Sequence, residues 1–226
     1  MMSHPEVIER WRHVQHKLFQ PVATLRCGLE LRSMKARGAD LAELELLLSE
    51  VDRIAELGHF AEDLLLDAFE APTEQLVDEL LEKAIIANRD LAQEKGVEVS
   101  YAPGNLRVMC PAQAFAQATA EYLEFAINHS ALDELLRIES GEKEHVCTLS
   151  VTGMSRLEPS QVACAFQLFS PGVRGIYPEL WNRSLLRMQN LLRSSGGGFT
   201  LASRPDVGIE TIVSLPLAAK VAVAHV

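Results

Sequence analysis

The residues to read first are His16-Lys17-Leu18-Phe19-Gln20-Pro21, because their types and spacing can support nucleophilic chemistry. Around them Ile8, Trp11, Leu18, Val22, Leu25 and Leu29 recur at alternating steps of three and four, with Gln15 filling the one gap. That period belongs to a helix burying one stripe against partner helices. His16 sits one residue off the stripe, so its imidazole is expected to face water. Gln20 follows one turn later on the same side, and Arg12 precedes by one turn. Pro21 removes a backbone donor inside the helical pattern and is expected to bend the helix just past His16. A ring nitrogen held out into water beside such a bend is a candidate nucleophile. His13, His59, His129 and His145 lack that setting and read as structural or surface residues.

The elements that must hold His16 follow from the same periodicity. A first helix is expected over Pro5 to Lys35, then a turn with Gly38 as C-cap and Asp40 as the next N-cap. A second helix, Leu41 to Phe69, should bury Leu44, Leu47, Leu48, Val51, Ile54, Leu57, Ala61 and Leu65. Two long helices and a short turn make an antiparallel hairpin. A single hairpin cannot cover its own stripes, so a homodimer forming a four-helix bundle is expected, with cover by the C-terminal part as the alternative.

Pro72 closes the second helix and sets the boundary between residues 1–71 and 72–226. Beyond it the pattern mixes helix and strand. Gln75 to Lys95 reads as a helix closed by Gly96, and Val97 to Tyr101 as a strand beside Leu106 to Met109 across Pro103-Gly104-Asn105. Pro111 to His129 is a helix, and Leu135 to Ser140 with His145 to Thr152 a hairpin around Gly141-Glu142-Lys143. A short helix over Pro159 to Phe169, a loop over Ser170 to Pro178, a helix over Glu179 to Ser195 and strands Phe199 to Ser203 and Ile209 to Leu215 complete the order. The fold class is α+β: a helical hairpin followed by an α/β sandwich, with helices on one face of a mixed, largely antiparallel sheet.

Composition bounds the partners. The chain has 226 residues, 48% hydrophobic and 23% charged, with a net charge of −10. An acidic surface argues against nucleic acid, since phosphate binding needs a basic one. Against that background Arg10, Arg12, His13, His16 and Lys17 form a local basic patch suited to docking an acidic partner. No apolar run reaches the length of a bilayer span, and Met1 to Arg12 is unlike a secretory signal, so a cytoplasmic protein with no membrane partner is expected. Cys27, Cys110, Cys147 and Cys164 have no metal or redox spacing and are expected to be free buried thiols in a reducing compartment.

His16-x-Leu18-x-x-Pro21 followed by an amphipathic helix resembles the phospho-acceptor box of bacterial two-component sensor histidine kinases. The remaining order is similar to their ATP-binding half. Leu91 to Val99 looks like its helix-to-strand passage, and Glu121 to Ser130 falls where the family has an asparagine box. Phe166-Gln167-Leu168-Phe169 resembles its Phe-x-x-Phe segment, and Gly197 to Ser203, Gly208 and Leu215-Pro216-Leu217 its closing strands. The resemblance covers nearly the whole chain. It implies a phospho-accepting His16 and a receiver-domain partner.

The departures fall on nucleotide chemistry. Where the family's asparagines hold Mg²⁺, this chain has Glu121 and Phe125, and a phenyl ring offers no oxygen to a hard cation. Where the family has Asp-x-Gly-x-Gly, it has Thr152-Gly153-Met154-Ser155-Arg156, without the carboxylate and with Ser and Arg in place of glycines. Leu180-Trp181-Asn182-Arg183-Ser184 lacks the glycines that would cradle phosphate. After the His stands Lys17 rather than an acid, suited to neutralising a phosphoryl group in transit rather than to taking a proton.

The resemblance and its departures together imply a histidine phosphotransferase working between receiver aspartates. His16 would be the acceptor, Lys17 and Gln20 would assist it, and Arg12, His13 and Phe19 would dock the partner. No cofactor or metal is expected except Mg²⁺ brought by the receiver. Two alternatives stand beside it: a non-catalytic pseudo-kinase that binds a receiver or kinase, and an ATP-dependent kinase with divergent motifs.

Overall fold

Two long helices make up the first part of the chain, α1 over His4–Ser33 and α2 over Ala39–Phe69. They run in opposite directions. Gln15 Nε2 donates to Glu62 Oε2 at 2.6 Å, and Arg26 Nε to Asp52 Oδ1 at 2.7 Å, so positions rising along α1 meet positions falling along α2. α1 continues through Pro21. It ends two residues before the expected Lys35, and the glycine does a different job from the one its type suggested. The Gly38 carbonyl accepts from Ala42 N–H, so Gly38, at φ 59°, opens α2 rather than closing α1. Asp40 then lies in the first turn of α2, where a carboxylate suits the helix N-terminus.

The computed structural model describes residues 4–156, 162, 183–204 and 208–218, and the chain divides into two compact units, 1–69 and 70–226. In the first unit Leu29 and Val51 are buried, whereas Leu18, Leu25, Leu47 and Ile54 are 44–53% exposed. The forecast apolar stripe is therefore only partly covered by the contact between α1 and α2.

The second unit contains β1 (Thr73–Leu76), α3 (Val77–Ala87), α4 (Arg89–Lys95), β2 (Glu98–Ala102), β3 (Arg107–Cys110), α5 (Ala112–Asn128), β4 (Leu135–Lys143) and β5 (Val146–Gly153). It continues with α6 (Arg183–Ser194), β6 (Gly198–Arg204) and β7 (Gly208–Pro216). A five-stranded sheet has the order β2-β4-β5-β7-β6, with β2 parallel to β4 and the other neighbours antiparallel. Alternate residues of each central strand face inward: Leu136 and Ile138, then Cys147, Leu149 and Val151, then Ile209, Val213 and Leu215. They form one core with Leu80, Leu81 and Ala84 of α3, Phe115, Tyr122 and Leu123 of α5, and Leu185, Met188 and Leu192 of α6.

Three expectations are corrected here. The single helix over Gln75 to Lys95 is a short strand and two helices. Asn88 breaks it, its side-chain amide donating to the carbonyls of Ala84 and Ala120 at 2.9 and 3.0 Å, the competition with helical bonding that asparagine favours.

The strand at Leu106 to Met109 is not the neighbour of β2. β3 pairs with β1, and β2 pairs with β4. The buried carboxylate of Asp78 holds the connection apart by accepting from the Gly104 and Asn105 N–H groups and from the Tyr101 hydroxyl. Gly104 lies so close to Ser140 that a Cβ would come within 2.8 Å of its carbonyl oxygen.

The hairpin turn sits later than forecast. β4 runs on to Lys143, and Glu144 and His145, both left-handed at φ 53° and 65°, reverse the chain as the twist of paired strands prefers. The segments Pro159 to Phe169 and Ser170 to Pro178 lie outside the described residues, apart from Val162.

Candidate functional site

On α1, His16 is exposed, as are Arg10, Arg12, His13, Lys17 and Gln20. The basic patch thus stands in solvent on the face carrying His16. Gln15, one residue earlier, is buried and tied to Glu62. Phe19, expected to dock the partner, makes contacts of its own within the helix pair. It is half-buried and its ring stacks on His59 of α2, centroids 4.9 Å apart and planes 26° apart. The ring edge also rests on Gly58, where a Cβ would meet Phe19 Cζ at 2.3 Å. The phenyl group is engaged inside the helix pair.

In the second unit, the positions that resemble a nucleotide site are joined to one another by contacts of their own. Phe125 is buried, its ring 4.2 Å from that of His129 and 6.5 Å from that of Tyr122. The His129 carbonyl accepts from Arg156 N–H at 3.1 Å, which ties the end of α5 to the segment after β5. Within that segment Thr152 is half-buried and pairs with Arg137 and Glu210. Met154, left-handed at φ 58°, is fully buried at 0% exposure. Glu134 clamps the segment from below: its carboxylate accepts from the Ser155 hydroxyl at 2.8 Å, from Ser155 N–H and from Ala131 N–H at 2.5 Å.

Glu121 is engaged as well. Arg187 of α6, 4% exposed, places Nη1 2.9 Å from Glu121 Oε1 and Nη2 3.3 Å from Gln117 Oε1, while Gln117 Nε2 donates to Glu121 Oε1 at 3.0 Å. A guanidinium thus neutralises the Glu121 carboxylate, which stands where the resembling family has an asparagine. Among the described residues no three His, Cys, Asp or Glu side chains gather as a metal site. No helix of the described residues is long and apolar enough to cross a membrane.

No protein-family model and no curated protein matches the sequence. Solved structures do. The catalytic domain of histidine kinase ThkA aligns with 64% of this chain and 95% of its own, at TM-score 0.52 and 16% identity. Full-length ShkA, solved in complex with AMPPNP, aligns with 93% of this chain and 46% of its own, at TM-score 0.62 and 16% identity. ThkA in complex with the response regulator TrrA aligns with 96% of this chain and 64% of that one, at TM-score 0.57 and 14% identity. The fold is that of a histidine kinase-like core.

Within that core several residues that matter were not singled out from sequence. Met154 and Arg187 are an ordinary apolar residue and an ordinary helix arginine when read along the chain. Glu134 and Gln117 gave no signal either, since their partners lie 21 and 70 residues away. Gly58 and His59 had one available sign, a glycine inside an otherwise regular helix, which often marks close approach of another group. Leu180-Trp181-Asn182 and the Phe166-to-Phe169 segment lie outside the described residues.

Proposed function

We propose that this protein is a histidine phosphotransferase of a cytoplasmic two-component phosphorelay, built on a kinase core that has given up its nucleotide. The observation that carries the reading is Arg187 seated on Glu121. At the position where the resembling kinases bring Mg²⁺ to ATP, this chain supplies its own cation. Buried Phe125 and Met154 support it, because apolar side chains there offer nothing to a metal or a base.

The chemistry falls to His16. A ring nitrogen attacks the phosphorus of a receiver's aspartyl phosphate, the P–O bond to the carboxyl breaks, and the carboxylate leaves with the electron pair. The proton on the ring's other nitrogen passes to water, leaving neutral phosphohistidine. The reverse attack by a second receiver's carboxylate completes the relay. Lys17, exposed beside His16, offers charge to the phosphoryl oxygens in transit. Gln20, one turn on, is placed to orient a water when the receiver is to be dephosphorylated. Arg12 and His13 extend the positive field that draws an acidic receiver. Divalent metal belongs to the receiver in this scheme.

The exposed Leu18, Leu25, Leu47 and Ile54 are the faces on which two copies would close a four-helix bundle, presenting two His16 side chains. Incubation with a phosphorylated receiver tests the reading. Label on the wild-type chain, absent in His16→Ala, is the expected result. Absence of label with retained receiver binding would replace transferase by pure binding module.

A further inference from the structure

Resting on the reading of His16 as phospho-acceptor, we infer that Phe19, Gly58 and His59 form a seat on α2 that positions the His16 turn. Pro21 has no N–H, so the helical bond that would close on the Lys17 carbonyl is missing one residue past His16. The backbone carrying the nucleophile is therefore weakened on its C-terminal side. Two contacts to α2 flank it. On one side Gln15 donates to Glu62 at 2.6 Å. On the other, the tip of the Phe19 ring rests on Gly58, with clearance too small for a Cβ, and a face of the ring stacks on His59 at 4.9 Å.

Gln15 and Phe19 are one turn apart, as are Glu62 and Gly58, so the two contacts form successive rungs with His16 between them. α2 thus splints the turn that Pro21 loosens. Gly58 belongs to this device because only a residue without a side chain lets the ring reach the helix backbone. His59 covers a face of the ring.

The experiment uses the full chain and three variants: Gly58→Ala, which drives a methyl into the ring, Phe19→Leu, which leaves room for it, and the double variant. Two readouts are taken: phosphoryl transfer from a phosphorylated receiver, and the order of the His16 ring by nitrogen-15 relaxation. Receiver affinity and thermal midpoint are followed alongside. A displacement of about 1 Å can cost up to about a hundredfold in rate. Gly58→Ala is expected to slow transfer about tenfold and loosen the His16 ring while receiver affinity stays as in the wild type. Phe19→Leu/Gly58→Ala is expected to recover most of that loss.

Transfer and ring order unchanged in Gly58→Ala, or a loss the second substitution does not relieve, overturns the seat while leaving His16 as acceptor. A wild-type chain that takes no label, yet shows the ring order changing as described, keeps the seat and overturns the transferase reading instead.

Discussion

The guanidinium of Arg187 lies 2.9 Å from the Glu121 carboxylate, one on α6 and the other on α5, with Arg187 almost wholly removed from water. Such a pair contributes little net stability, yet removing one partner leaves the other stranded. Glu121 keeps 22% of its surface in solvent, which moderates that cost.

Arg187→Met should therefore lower stability by about 1–3 kcal/mol, read as a fall in the urea midpoint with an unchanged slope. Arg187→Met/Glu121→Gln should recover part of that loss, because the stranded carboxylate is gone. Equal losses in the single and double variants would show that Arg187 acts through packing alone.

Nucleotide should find no purchase. A ligand at a hundred times its Kd stabilises a folded chain by about 2.7 kcal/mol. Millimolar ATP with Mg²⁺ is expected to leave the thermal midpoint where it was. A rise of several degrees would contradict the account of Glu121, Phe125 and Met154 and favour a divergent kinase.

The exposed leucines of the hairpin make a prediction about assembly. Leu25→Glu places a charge at the centre of the proposed two-copy seam and should convert a dimer to monomer in sedimentation, while the helix content persists. A wild-type chain already monomeric at tens of micromolar would remove the bundle from the proposal.

Burial pushes the Cys110 thiol up to about 12, with the Glu70 carboxylate adding to the effect, and Cys147 up to about 11, with Asp78 adding. An unfolded cysteine ionises near pH 8.5. The stability from keeping both thiols neutral is therefore complete below that pH, and it is lost as pH rises toward 11–12, because the unfolded chain loses protons first. Urea midpoints taken from pH 8 to 10.5 should fall more steeply for the wild type than for Cys110→Ala/Cys147→Ala. Cys27, expected to be buried, is instead exposed on α1 and should react with a disulfide reagent in the native protein, whereas buried Cys110 and Cys147 should not.

Much of this was legible along the chain because it is local. The three-and-four spacing around His16 requires a helix and puts His16 off the stripe, and the structure leaves that residue exposed. The alternation in Val146–Gly153 and Gly208–Pro216 marks strands with one buried face, and both are interior strands of the sheet. What could not be read depends on distant partners. β1 is four residues long, and nothing local distinguishes Thr73–Leu76 from the start of a helix. Strand neighbours were misjudged because Asp78 grips the 104–105 backbone from another element. The unit boundary likewise falls just before Glu70, whose carboxylate accepts from the Gln113 and Ala114 N–H groups at 2.8 Å and so caps α5 from 43 residues away. The resting place of the Phe19 ring was hidden for the same reason, since the glycine it touches lies on the other helix.

The central claim is that His16 carries the phosphoryl group and the rest of the core needs no nucleotide to let it do so. The most direct measurement is phosphoryl transfer from a labelled receiver, in the absence of ATP, to the wild-type chain and to His16→Ala. The account predicts acid-labile label on the wild type, none on His16→Ala, and onward transfer to a second receiver. Label that survives in His16→Ala, or that appears on the wild type only when ATP is supplied, would contradict it.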